Sequence, residues 1–366
     1  MIRDKKFLIL VGLIIFLPLL TVVLTSILQG CENRGSSYNV YEKNMIKAAE
    51  KYFKNNKLEP TIERKISKVS LSTLVSNKYI KSSESSLKDS SCTGSVTARM
   101  NGVSLEKNKG GFINYLVNLN CKNYKTPTLI DSLKENSSDS ESGLYKNGSE
   151  YIFKGEKPRN YITFYDKNYR IMGITSDGLI KLIKSEYENL SRMWDNKYNL
   201  ETKQSSGKSI YKDSLILNYL TEDYFNEKKI SSTAREHIIF NNVCIGKRSK
   251  SDTRISKEID CQEVIQNQPV ALMIASDFFL ASTDPDCNSI LSRSCNNYNY
   301  LKKVANSSWT SNSVTENTYE VLNLSGGVII PQTANTYNSY NIVIYIDGNE
   351  KIKSGSGTFE DPYIIK

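Results

Sequence analysis

The chain has one histidine, two tryptophans and eight prolines in 366 residues. A multi-histidine metal site is therefore excluded, and an imidazole-based triad would have to run through His237 alone. His237 follows Arg235-Glu236 and enters an apolar run, so it reads as a packed side chain, and no Gly-x-Ser-x-Gly element accompanies it. The Gly355-Ser-Gly357-Thr stretch lacks the lysine and the following helix of a phosphate loop and reads as a turn before a closing strand. Asp284-Pro-Asp286 and Trp194-Asp195-Asn196 supply only a few of the six to eight or so oxygens that calcium takes, so no metal or cofactor is expected. These absences together predict a protein that is not an enzyme.

Excess charge is modest, with 48 Lys and Arg against 39 Asp and Glu, a net +9. The basic cluster Lys247-Arg248-Ser249-Lys250 is diluted by Asp252, Glu258 and Asp260, which predicts a solvated loop and no nucleic-acid partner. What the chain has in quantity is aromatic, 23 Tyr and 11 Phe, and its hydrophobic share of 39% suits folded domains rather than disorder. Its length suits two of them.

Residues 1–6 form a basic flank, and Phe7 to Leu28 is an uncharged run long enough to span the roughly 30 Å of a bilayer core. The flank predicts a cytoplasmic N-terminus and an extracytoplasmic chain beyond residue 31. Leu28-Gln29-Gly30-Cys31 resembles a bacterial lipobox, so Cys31 is a candidate for lipidation; an uncleaved signal anchor over residues 7–28 is the alternative. On this reading the remaining cysteines meet an oxidising compartment, and Cys92, Cys121, Cys244, Cys261, Cys287 and Cys295 make three disulfides. A hairpin register that sets Cys92 against Cys121 also sets Val96 against Val117, Ala98 against Tyr115 and Met100 against Ile113. Sequential pairing, Cys244 with Cys261 and Cys287 with Cys295, is the default for the rest.

Residues 36–127 are expected to form a small α+β domain. Tyr41, Met45, Ala48, Ala49 and Tyr52 fall on one helical face, and a short helix over Val69–Val75 opens on a serine cap before the Cys92 hairpin. The anchor, the Ala-Ala-x-x-Tyr-Phe helix and the strands "CTGSVTARM" and "YLVNLNCKNYKT" resemble pseudopilin-like exported proteins of Gram-positive bacteria, often labelled as type II secretion system proteins. That resemblance implies a pilus-like or secretion-like assembly; Val11 stands where pilins use glutamate, and no glycine precedes Phe7.

Residues 128–149, rich in Ser, Asn and acid, read as a linker, with a larger head over 150–366. Strands are expected at 151–153, 161–164, 169–172 and 179–183 in a meander, helices at Ser214–Leu220 and Ser276–Leu280, and strands at Tyr319–Leu324, Val328–Ile330 and Asn341–Ile346. The blocks "YIFKGEKPRNYITFYDKNYRIMGITSDGLIKLIKSE", "PVALMIASDFFLAS", "NSSWTSNS" and "GSGTFEDPYIIK" resemble an uncharacterised surface domain of Gram-positive bacteria found behind a membrane anchor. Tyr169 replaces a tryptophan common there. The resemblance implies a fold of the C-type-lectin-like and formylglycine-generating-enzyme-like class, α+β with long loops. Tyr298, Tyr300, Tyr337 and Tyr340, each near asparagines, are candidate ligand-binding aromatics for a glycan. The whole reads as a membrane-tethered surface protein presenting a head to a glycan, cell-wall or protein ligand.

Overall fold

The computed structural model describes residues 37–61, 64–101, 112–135, 141–186, 191–196, 210–225, 229–305 and 307–365. They form a mixed α+β fold with more strand than helix. Residues 7–28 and Cys31 lie outside the described residues, and no helix among those described is long and apolar enough to cross a membrane. The chain divides into two compact units, the first ending at Ala98 and resuming over Tyr115–Thr126, the second comprising Arg99–Asn114 and everything from Pro127 onward.

In the first unit, helix α1 (37–55) precedes a four-stranded sheet in the order β1 (Ile66–Ser70), β2 (Thr93–Asn101), β3 (Phe112–Cys121) and β4 (Tyr124–Lys125). Tyr41, Met45, Ala48 and Ala49 are buried as the helical spacing requires, and Phe53 is more deeply buried than Tyr52. Helix α2 (Leu71–Ser76) starts at Ser70, whose side chain accepts from Thr73 N, and α3 (Ser83–Leu87) starts likewise on Ser82. The Cys92–Cys121 disulfide is formed, and Gly94 packs against the backbone of Asn118 and Leu119, in keeping with the expected register. Strand β1 was hidden in a stretch expected to be helical from Val69. Inside this unit Glu42, 3% exposed, accepts hydrogen bonds from Tyr124 Oη (2.9 Å) and Thr126 Oγ1 (2.6 Å), tying α1 to the end of the sheet.

The second unit begins where a linker is expected. Helix α4 (Leu129–Glu135) buries Leu129 and Leu133 in the core, and β5 (Gly143–Asn147) buries Leu144. Two leucines at i and i+4 suffice to give a polar helix an inward stripe, and only 136–140, outside the described residues, remain of the linker reading. The main sheet continues with β6 (Glu150–Lys154), β7 (Tyr161–Phe164), β8 (Lys167–Ile174) and β9 (Leu179–Lys184). It is not a simple meander: β8 pairs with β7 through residues 167–170 and with β6 through residues 173 and 174.

Strand β10 (Arg192–Met193) is followed by the helix α5 (Leu215–Asn218), capped by Ser214, and α6 (Ser232–His237), capped by Ser231. Then come β11 (Asn241–Cys244), β12 (Lys247–Arg248), α7 (Lys257–Asp260), β13 (Val264–Gln268), α8 (Ala275–Leu280) and α9 (Lys302–Ala305). The last strands are β14 (Ser307–Val314), β15 (Glu320–Ser325), β16 (Val328–Thr333), β17 (Tyr337–Asn338), β18 (Val343–Asp347) and β19 (Tyr363–Ile365). The main sheet is completed by β18 beside β9 and by β19 running parallel to β7, while β12, β14, β15 and β16 form a second sheet. A tight turn at Gly326-Gly327, both at positive φ, joins β15 to β16.

Two features depart from the sequence reading in this unit. Strand β14 is polar in composition yet buried almost throughout, because its side chains bond main chain: Thr310 Oγ1 donates to Leu322 O, Ser311 Oγ to Cys244 O, and Asn312 Nδ2 to Gly246 O and Asp260 O. The Lys247–Lys250 cluster is not simply a solvated loop, since Arg248 is buried against Asp260. The disulfides Cys244–Cys261 and Cys287–Cys295 are formed in the sequential pairing.

Candidate binding cleft

The second unit holds a cleft of about 1020 Å³. Its floor lies in the β7–β8 hairpin, where Tyr161 and Arg170 are paired residues. Both faces of β8 are covered from Tyr169 onward, and Arg170 is only 4% exposed. Its Nε and Nη2 both donate to Asn160 Oδ1, at 2.7 and 2.5 Å, and Asn160, itself buried, donates through Nδ2 to Ile171 O at 2.7 Å. The guanidinium carbon sits 3.7 Å from the ring centre of Tyr161 and 4.8 Å from that of Tyr300, two cation–π contacts. No described carboxylate pairs with it. Burial pulls the Arg170 pKa down from the ordinary arginine value, against the opposing pull of the Tyr161 and Tyr300 phenols.

One wall is the segment 296–300. The Cys287–Cys295 disulfide precedes it, and Asn299 Nδ2 donates to Cys295 O and Phe278 O, each at 2.8 Å. Tyr298 has a positive φ of 45°, a conformation bulky residues rarely adopt, and the chain turns there so that Tyr298 is 55% exposed while Tyr300 points into the core. The turn before β19 also lines the cleft. Tyr161 N donates to Gly357 O at 3.0 Å, and Phe359, 72% exposed, meets the Tyr161 ring edge-on at 5.4 Å.

Of the four candidate tyrosines, Tyr298 and Tyr300 line this cleft, Tyr298 as a free face and Tyr300 as the packing partner of Arg170. Tyr337 is exposed on β17 and is not part of the cleft lining, and Tyr340 is fully buried, edge-on to Tyr219 at 6.1 Å. A four-tyrosine surface is therefore not formed; Tyr300 and Tyr340 are core side chains. Arg170, Asn160, Tyr161 and Phe359 escaped the sequence reading. The exposed Phe359 in a Gly-rich turn was the one local signal; the Arg170 sandwich depends on Tyr300, far away in the chain.

A second cavity of about 230 Å³ contains Lys181, whose Nζ meets Asp277 Oδ1 and Oδ2 at 2.7 and 2.6 Å, and the Lys257–Glu150 pair. Its charges are mutually satisfied. Among the described residues one cluster has metal-ligating side chains together, Asp89 with Cys92 and Cys121, and there the sulfurs are joined to each other. Asp284 and Asp286 are held in a turn, Asp286 N donating to Asp284 Oδ1 at 2.8 Å. His237 Nδ1 donates to Glu350 Oε1 at 2.7 Å, beside the Tyr165 ring. No family model, curated protein or solved structure matches the chain.

Proposed function

We propose that this chain is a membrane-tethered, extracytoplasmic surface protein without catalytic activity, whose second unit binds a glycan in the cleft between Tyr298 and Phe359. Two exposed rings among the residues lining a 1020 Å³ cleft carry the reading, because apolar sugar faces stack on such rings. The strand-rich α+β architecture, the disulfides and the functional loops accord with the C-type-lectin-like resemblance. The tether is the run 7–28 or a lipid on Cys31. A formylglycine-enzyme-like reaction would require free thiols, and all six described cysteines are in disulfides.

The test is a screen of the detergent-solubilised full chain against neutral and acidic glycans and cell-wall fragments. Binding that falls about tenfold in Tyr298→Ala and in Phe359→Ala, roughly 1.4 kcal/mol each, supports the reading. Absence of binding to every glycan and fragment overturns it, and a protein captured through the same two residues would move the ligand class to protein. A second reading has its own observation: a helix packed ahead of a four-stranded sheet accords with the pseudopilin-like resemblance and with a structural part in a pilus-like or secretion-like assembly. Cross-linking in intact membranes tests it, with a monomer as the overturning result.

A further inference from the structure

Arg170 is a buried cation whose compensation is incomplete. A desolvated charge is stable when it is paired with an opposite one, and here the guanidinium has one amide oxygen and two aromatic faces. The rest of the cleft adds positive charge: Lys157, Arg159, Lys302 and Lys303 line it with Arg170. Against them stand Glu156, Asp284 and Glu360, and Asp284 already accepts from Asn297 Nδ2 at 2.7 Å and from Asp286 N. The field inside the cleft is therefore positive, and it is focused at its floor, where water is least able to screen it. A neighbouring cavity of about 260 Å³ shares Tyr161, Arg170, Lys303 and Phe359 among its lining residues.

We infer that the cleft takes an acidic glycan, with a carboxylate or phosphodiester oxyanion of the polymer directed at Arg170 and an adjacent sugar ring stacked between Tyr298 and Phe359. The inference rests on the glycan reading above and adds the charge class of the ligand. An oxyanion supplies the pairing that the described carboxylates do not, and guanidinium hydrogens other than those on Asn160 Oδ1 would donate to it. Lys302 and Lys303, on α9, strengthen the field at the rim and make association salt-dependent.

Calorimetry on the full chain in detergent, with a neutral glucan, a polyuronate, a polyglycerol phosphate and inorganic phosphate as probes, tests this. One or both acidic polymers should bind at least tenfold more tightly than the glucan, and whichever is preferred identifies the oxyanion. Arg170→Gln should remove that preference and Arg170→Lys should keep part of it. Since Arg170 is buried, Lys302→Ala/Lys303→Ala serves as a surface variant: it should weaken the acidic polymer several-fold more than the glucan and flatten the salt dependence of acidic binding. Equal affinity for neutral and acidic polymers, or acidic binding indifferent to the double variant and to salt, overturns the inference and leaves the glycan reading intact. Failure of the acidic polymers and of every neutral glycan overturns both. Equal occupancy by inorganic phosphate alone, without either polymer, also overturns it.

Discussion

Arg248 and Asp260 form an ion pair sealed from solvent: Nε and Nη2 reach the same Oδ1 at 3.0 and 2.6 Å, and the side chains are 1% and 0% exposed. The remaining donors of Arg248 reach main-chain carbonyls, including Arg254 O at 2.7 Å, and Asp260 Oδ2 accepts from Ser276 N at 2.6 Å. Burial pushes the Asp260 carboxyl up, while Arg248 and the Ser276 hydrogen bond pull it back. Removing Arg248 should leave that carboxyl with its desolvation opposed only by the Ser276 hydrogen bond. Arg248→Met is thus expected to lower stability by about 3–5 kcal/mol in urea unfolding. Arg248→Met combined with Asp260→Leu should recover much of the loss, since no unpaired charge remains. A double variant no better than the single one would contradict this account.

The lone histidine makes a clean pH probe. Burial lowers the His237 pKa, but the hydrogen bond and charge of Glu350, with Glu236 adding to it, prevail, so the folded value lies above 6.5. A raised cationic pKa means that the stabilisation is complete below the unfolded value and is lost as pH climbs through the folded one. Unfolding free energy should therefore fall as pH rises from about 6.5 upward. Titration of the single imidazole signal by NMR should give a midpoint above the free-histidine value, returning toward it in Glu350→Gln.

Glu42 joins helix and sheet within the first unit. Replacement by alanine removes the acceptor of Tyr124 Oη and Thr126 Oγ1, and Thr126 Oγ1 in turn receives Leu119 N at 2.7 Å. The expected loss is about 1.5–3 kcal/mol, the range of a hydrogen bond to a charged group, read as a lower unfolding midpoint. Glu42→Gln, which keeps an acceptor oxygen, should lose less.

Gly355 sits at φ 105°, and a Cβ there would lie 1.9 Å from Pro362 O. Gly355→Ala should cost about 1–3 kcal/mol from backbone strain, and more from the collision, loosening β19. Hydrogen exchange at Ile364, whose amide donates to Ser354 O, would report it, with Ser356→Ala as the control.

Local periodicity made much of this architecture legible. The α1 face, the serine caps at Ser70 and Ser214, the Gly326-Gly327 turn and the Cys92–Cys121 pairing follow from spacing within short windows, whereas the sequential pairing of the other four cysteines is a default that no register argument supports. What stayed hidden depends on distant partners. Strand β14 carries no strand signal in the sequence because its serines and Asn312 look solvated until Cys244, Gly246 and Asp260 arrive as hydrogen-bond partners. Arg248 looks like a surface charge until Asp260 is folded against it. The tyrosine reading failed for a related reason: composition marks Tyr298 and Tyr300 alike, and only the positive φ at 298 sends one outward and leaves the other beneath Arg170.

The pairing of β7 with β19 has a consequence for the order of assembly. The three disulfides close loops of sequence separation 29, 17 and 8, so each needs only its own neighbourhood. Strand β7, by contrast, has an open edge until residues 363–365 reach it, and the wall that carries Phe359 arrives in the same stretch. Oxidation can therefore run ahead of tertiary closure, and a fully disulfide-bonded chain is not yet a finished one. Ligand capture in the cleft, unlike a thiol count, would report that the last strand is home.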